Sequence, residues 1–220
     1  MSNPPLLPEG IVAGNGRIRR CWWGAEPTIY QEYHDDEWGR PVADDCRLFE
    51  KLCLEGFQSG LSWLTILKKR ENFRQAFAGF DFHQLASWGG RDVERLLGDA
   101  GIVRHRGKIE ATLNNARRAL ELVEEYGSLA AYLWRWEPAA SDRPCHLDKP
   151  ALAALSSSPA SLALSKDLRK RGWAYVGPTT CYAFMQAMGM VNDHLEGCTA
   201  RAKCGQARKK FVRPGGPGVR

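Results

Sequence analysis

Apolar residues return at three- and four-residue intervals along most of the chain, the spacing that gathers them on one side of an α-helix. Leu48, Phe49, Leu52 and Cys53 do so behind Asp44 and Asp45, which can cap a helix start, and the pattern runs through Leu54-Glu55-Gly56 to end near Gly60. A second helix begins in Leu61-Ser62-Trp63-Leu64-Thr65-Ile66-Leu67 and passes the basic group Lys68-Lys69-Arg70 on its way to Phe73 and Phe77. Asp81 with Gln84 three residues on, ahead of Leu85 and Trp88, resembles a capping box and predicts a short third helix; Val93 to Leu97 predicts a fourth. Ile109, Leu113, Ala116, Leu120 and Val123 line one side of a long amphipathic helix that Gly127 ends, and Leu129 to Trp136 continue as another. No alternation of useful length marks a strand. The pattern predicts an all-α fold of six or more helices with short connections.

Toward the C-terminus, Leu168 to Arg171 belong to a helix that Gly172 interrupts, and Thr179 to Met188 resume the period without a breaker. The intervening Tyr175-Val176-Gly177-Pro178 reads as a tight turn, with Gly177 free to take a positive φ and Pro178 suited to a first helical turn. Amides exposed at such a helix start can seat a phosphate without reading sequence. Residues 138 to 161, rich in Ser, Ala and Pro, read as a looser excursion, and residues 1–19 as a flexible lead.

Composition adds only a little. With 220 residues, 44% of them apolar and 25% charged, the chain can build one substantial core or two small lobes. No apolar run approaches a membrane span and no signal peptide is recognisable at the start, so a cytoplasmic location is expected. The formal charge of +6 is more than accounted for by Arg201, Lys203, Arg208, Lys209, Lys210, Arg213 and Arg220. Residues 199–220 therefore read as a basic, flexible tail, either solvated or tethered to DNA.

Seven cysteines without regular spacing suit a reducing compartment better than a disulfide scaffold. Cys21 and His34 near the front, with His194 and Cys198 near the back, make a four-ligand set suited to tetrahedral zinc, the last two sharing a face if their segment is helical. Cys46, Cys53, Cys145, Cys181 and Cys204, with His83, His105 and His146, are alternatives. A closed Cys2His2 site would clip the chain's two ends together. It would also stabilise a front segment crowded with Trp22, Trp23, Tyr30, Tyr33 and Trp38 but poor in aliphatic residues. Glu55 follows an apolar stretch and could pair with a cation, although an exposed helix glutamate is the commoner case; Trp63 offers either a stacking face or core bulk.

Five segments carry a family resemblance: Tyr33-His34-Asp35-Asp36-Glu37-Trp38-Gly39, Cys53-Leu54-Glu55-Gly56-Phe57-Gln58-Ser59-Gly60-Leu61-Ser62-Trp63, Leu67-Lys68-Lys69-Arg70-Glu71-Asn72-Phe73, Ile102-Val103-Arg104-His105-Arg106-Gly107-Lys108-Ile109 and Val176-Gly177-Pro178-Thr179-Thr180. With Val191-Asn192-Asp193-His194, they resemble, in order from about Arg20 to Cys198, the bacterial 3-methyladenine DNA glycosylase I family. The resemblance implies a helix-hairpin-helix glycosylase fold over residues 20–198, with the hairpin motif at about 168–190. It also implies two helical lobes and chain ends joined by a structural Zn2+ on Cys21, His34, His194 and Cys198. It further implies a monofunctional enzyme of base excision repair, a monomer in the bacterial cytoplasm that meets the nucleoid through DNA. Its substrate would be alkylated double-stranded DNA, from which it flips out and hydrolytically excises 3-methyladenine to leave an abasic site.

Carried over residue by residue, the resemblance makes Glu55 the catalytic contact to the damaged base and Trp23, Tyr30, Tyr33 and Trp63 its binding surface. Leu61, beside Gly60, would plug the gap in the duplex, and Gly177 and Thr179 would meet DNA at the hairpin. Where the wider superfamily has a catalytic aspartate after the hairpin, this chain has Asn192, with Asp193 one residue off; no lysine matches the nucleophile of the bifunctional members. The residues also admit two competing readings. One is a non-catalytic zinc and hairpin module that only holds duplex DNA, the other a zinc hydrolase with a water-bearing metal.

Overall fold

The computed structural model describes residues 7–144 and 146–215. Among them are eleven α-helices and one small sheet. No described helix is long and apolar enough to cross a membrane. The chain divides into two compact units: one takes the residues up to Pro41 with Pro138–Ser156 and Met185–Phe211, the other Val42–Glu137, Ser157–Phe184 and the residues from Val212.

The first unit opens with a two-stranded antiparallel sheet, β1 (Ile11–Ala13) against β2 (Arg19–Cys21), in which Ile11 faces Cys21 and Ala13 faces Arg19. The expected flexible lead is thus partly structured; residues 1–6 of it lie outside the described chain. Strands three residues long carry too few positions for alternation to register. A 3₁₀ turn (Trp22–Gly24), α1 (Thr28–Glu32) and a wider π turn (Tyr33–Glu37) follow. From the middle of the chain the unit takes α8 (Lys149–Ala154), and from the end α11 (Thr199–Lys210). Ile11, Cys21, Leu147, Leu152, Leu195, Cys198 and Ala200 form a single buried cluster, so front, middle and back of the chain share a core.

α11 corrects the reading of residues 199–220 as a flexible tail. It presents almost no apolar stripe, yet Ala200 and Cys204 are buried, and Arg208 reaches inward to donate to the carbonyl of Gly189. The stems of long basic side chains cover apolar surface while their heads remain charged, and a reading by periodicity counts such positions as polar. Residues 216–220, including Arg220, are outside the described residues.

In the second unit the sequence signals translate closely into elements. α2 (Asp45–Gln58) is capped by Asp44, which accepts from Arg47 N at 2.8 Å; α3 (Trp63–Ala76) is capped by Ser62, which accepts from Thr65 N at 3.2 Å. α4 (Phe82–Leu85) and α5 (Gly90–Gly98) follow, then α6 (Arg106–Tyr126), which Gly127 stops at φ 84°. α7 (Leu129–Trp134) begins under the carboxylate of Asp45, which takes the Leu129 and Ala130 amides at 3.0 and 2.8 Å and ties the two helix starts together. Phe57, Phe73, Phe77 and Phe80 are all buried and in ring-to-ring contact, forming the spine of this unit.

α9 (Pro159–Lys170) and α10 (Pro178–Ala187) are joined by a turn held from outside by α6. Asn115 brackets it, donating to Ala174 O and accepting from Ala174 N, both at 2.9 Å, while Asn114 donates to Gly172 O at 2.8 Å. The positive φ expected at Gly177 falls instead on Gly172 (82°) and Tyr175 (56°). Gly177 sits at the head of α10, where its carbonyl accepts from Cys181 N at 2.8 Å.

Gly189 tests the packing of the first unit. Its φ is 72°, and a β-carbon there would stand 2.5 Å from backbone atoms of Arg40 and Pro41. Gly189→Ala is expected to lower stability by about 2 kcal/mol or more in urea denaturation. Gly90→Ala, with no atom within 4 Å of the added carbon, should leave the midpoint unchanged; equal effects would refute this account.

Candidate functional site

Cys21, His34, His194 and Cys198 are all buried, and their ligand atoms all lie within 4.8 Å of one another. They are the one such group of four among the described residues; Cys145 lies outside them, and the other cysteines and histidines do not join it. β2 delivers Cys21 and the π turn delivers His34. His194 and Cys198 do not share a helix face as their spacing suggested. They bracket a turn in which Gly197 takes φ 86° and Cys198 N donates to Leu195 O at 3.0 Å, and Cys198 then heads α11.

The ring nitrogens are sorted by their outer partners. His34 Nδ1 lies 2.8 Å from Asp35 Oδ1 and His194 Nε2 lies 3.0 Å from Trp38 O, each a contact in which the ring supplies the proton. That leaves His34 Nε2 and His194 Nδ1 as lone pairs 3.2 Å apart, with Cys198 Sγ at 3.5 and 3.7 Å from them and Cys21 Sγ at 3.9 Å from His194 Nδ1. Four donors converging without a proton between the nitrogens suit a cation. Tetrahedral zinc, with bonds of about 2.0–2.3 Å, holds its ligands roughly 3.3–3.8 Å apart.

Asp35 completes the outer layer. Burial works to raise its pKa, but hydrogen bonds from Arg20 and His34 outweigh that and hold it below the ordinary carboxylate value. The Arg20 contact is bidentate, at 3.0 and 2.6 Å. Between the two thiols, the hydrogen bond from Cys21 is what chiefly lowers Cys198, while donating that bond, together with burial, raises Cys21.

The second unit carries a different arrangement. Glu55 lies on α2 with 6% of its surface exposed, so the exposed-glutamate alternative does not hold. Its Oε1 is 2.6 Å from Lys51 Nζ, one helical turn earlier on the same face, and that ammonium stands 3.3 Å from the ring centroid of Trp63 at the start of α3. Carboxylate, ammonium and indole face make a buried cluster in which a desolvated cation over an aromatic ring gains about 2 kcal/mol or more. Lys51 was not singled out in the sequence, although its position four residues before Glu55 was the available signal.

Lys108 steadies this end of α2. It reaches from α6 to donate to Phe57 O at 2.8 Å and Ser59 O at 2.5 Å, occupying carbonyls that the helix end leaves free, and burial lowers its pKa. Beyond Ser59 the chain turns at Gly60 (φ 80°) and leaves Leu61 42% exposed, a large apolar side chain presented to solvent. Thr179 is exposed in the first turn of α10, two residues after Gly177.

Trp23, Tyr30 and Tyr33 belong to the first unit. Tyr33 is buried. Trp23 makes edge contacts with Tyr30, His34 and Trp38 at centroid distances of 6.1, 5.1 and 4.8 Å, and so packs directly on the metal-capable cluster. Of the residues after the hairpin, Asn192 donates to Arg201 O and Asp193 accepts from Gln186, both at 2.9 Å.

Residues 22–202 match the methyladenine glycosylase family. The chain is 47% identical over 182 residues to DNA-3-methyladenine glycosylase 1 of Escherichia coli, covering 82% of this chain and 96% of the relative. It is 44% identical over 183 residues to DNA-3-methyladenine glycosylase of Haemophilus influenzae, covering 83% and 97%. Among solved structures, a variant of 3-methyladenine DNA glycosylase I in complex with 3-methyladenine superposes with a TM-score of 0.77 at 34% identity, over 83% of this chain and 97% of that one.

The close approach of Gly24 to His34 supplies a test of the cluster's packing. A β-carbon at Gly24 would lie 2.5 Å from His34 ring carbons. Gly24→Ala should therefore cost about 1–3 kcal/mol in thermal denaturation; an unchanged melting temperature would show that His34 is not held there.

Proposed function

The chain belongs to the methyladenine glycosylase family, and from that premise we infer how its own residues carry out the family's reaction. It is a DNA-3-methyladenine glycosylase, which excises 3-methyladenine from alkylated DNA as a step of base excision repair. Methylation at N3 puts positive charge on the purine and makes it a good leaving group. The N-glycosidic bond breaks with its electrons departing on the base, and water adds to the sugar carbon, leaving an abasic site. Flipping the nucleotide out costs a few kcal/mol, less for a damaged base that stacks and pairs poorly.

In this reading Glu55 hydrogen-bonds the edge of the cationic base and Trp63 stacks on its face. By family membership Trp23, Tyr30 and Tyr33 are also assigned to base binding. The observation that carries the assignment is the buried Glu55–Lys51 contact over Trp63, a carboxylate and an indole already arranged around a positive charge. Leu61 enters the duplex in place of the extruded nucleotide, with Gly60 allowing the turn that presents it. The α9–α10 pair acts as a helix-hairpin-helix whose head, at Gly177 and Thr179, seats a phosphate on backbone amides. The protein acts as a monomer on double-stranded DNA in the bacterial cytoplasm.

Cys21, His34, His194 and Cys198 hold a structural Zn2+. Four protein donors close the coordination shell, so the ion supplies folding energy to the first unit rather than an activated water. Asp35 and the Trp38 carbonyl orient the two rings, and Arg20 orients Asp35. Asn192 and Asp193, tied to Arg201 and Gln186, serve the packing of the segment that carries His194.

Two measurements test these roles. Glu55→Gln is expected to cut release of free 3-methyladenine from methylated duplex DNA by about 100-fold or more, the scale of losing one preorganised electrostatic group; full release would remove Glu55 from the reaction. Metal analysis of the purified protein should return one zinc per chain. Cys198→Ser should lose it and fall in stability by about 3 kcal/mol or more; a native protein without zinc, or a variant that keeps both metal and stability, would overturn the site.

A further inference from the structure

We propose that Lys51 is the resident cation of the base seat: in the empty protein its ammonium takes the place against Glu55 and Trp63 that a cationic purine takes on binding, so the base enters by exchanging with it. The proposal rests on the reading of Glu55 and Trp63 as base-binding residues and adds a competitor to it.

The geometry is specific. Lys51 and Glu55 are 7% and 5% exposed in their side chains, and the ammonium is in contact with both the carboxylate, at 2.6 Å, and the indole face, with its nitrogen 3.3 Å from the ring centroid. A purine stacked on that face would place its ring atoms about 3.5 Å above the indole, in the volume the ammonium fills. Two groups cannot share that volume. Lysine is suited to vacating it, because its charge sits on a flexible four-carbon stem that can swing without moving the backbone of α2.

Electrostatics gives the exchange its sense. A buried carboxylate left without a partner is costly, whereas a carboxylate that trades one cation for another keeps its partner throughout. Lys51 therefore keeps Glu55 partnered and oriented between turnovers, and every base must displace it. Removing the competitor should tighten binding of charged and uncharged purines alike, which a lysine that merely positioned Glu55 would not do.

Free 3-methyladenine and adenine can be titrated calorimetrically into the full-length protein and its Lys51→Met variant. The expected result is tighter binding of both bases to the variant, by about tenfold or more for 3-methyladenine. Unchanged or weaker binding would overturn the exchange. Should the variant fold poorly, the wild-type protein crystallised with 3-methyladenine decides: the ammonium should have left the face of Trp63, and an ammonium still over that ring beside a bound base refutes the proposal. Glu55→Gln separates the two layers. If it weakens 3-methyladenine binding while Lys51→Met tightens nothing, only the exchange fails; if it leaves binding unaltered, the base-site reading fails and the exchange with it.

Discussion

The 2.6 Å contact between Glu55 and Lys51 is the point from which the larger unit is best understood. Taking a carboxylate out of water costs several kcal/mol, and it is tolerated only beside an opposite charge and further polarisable contacts. α2 supplies the first by spacing the pair one turn apart, and α3 supplies the second by starting with Trp63 over the ammonium. The sharp turn at Gly60 and the capping of α2 by Lys108 then follow as conditions for α3 to return at the right place. In the proposed function this wall, negative and aromatic at once, is in place before the cationic base arrives.

The smaller unit meets a parallel demand with softer donors. Its front segment is rich in tryptophan and tyrosine, residues that pack well but bring polar edges with them. What holds it is a core shared with Leu147, Leu195 and Ala200, with the thiols and imidazoles of Cys21, His34, His194 and Cys198 alongside. Trp23 and Trp38 close around the His34 and His194 rings, so the aromatic crowding and the ligand cluster are one feature.

Much of this was legible in the residues because the larger helices obey local rules. Asp44 and Asp81 cap helices where their positions suggest, and Gly127 ends α6 by the positive φ that glycine adopts freely. The metal-capable set was legible as chemistry but not as geometry, since a spacing of four residues fits a helix face and a tight turn equally well. α11 was hidden because its inward side carries only the small Ala200 and Cys204 and the stem of Arg208, too little apolar bulk for a helical period to show. The sheet at β1 and β2 was too short for its period to show. Lys51 was hidden for another reason: lysine is so seldom buried that its burial can be recognised only together with its partner.

The bracket that Asn115 places around Ala174 has a bearing on how this hairpin could be reused. A turn stabilised by its own residues travels as a cassette, and a short peptide spanning it keeps its shape. This one, besides its own bonds such as Ser165 Oγ to Val176 O, takes part of its shape from an amide on α6, some sixty residues earlier in the chain. Any transplant of the α9–α10 pair into another scaffold would have to bring that helix along, or supply a carboxamide at the equivalent point in space.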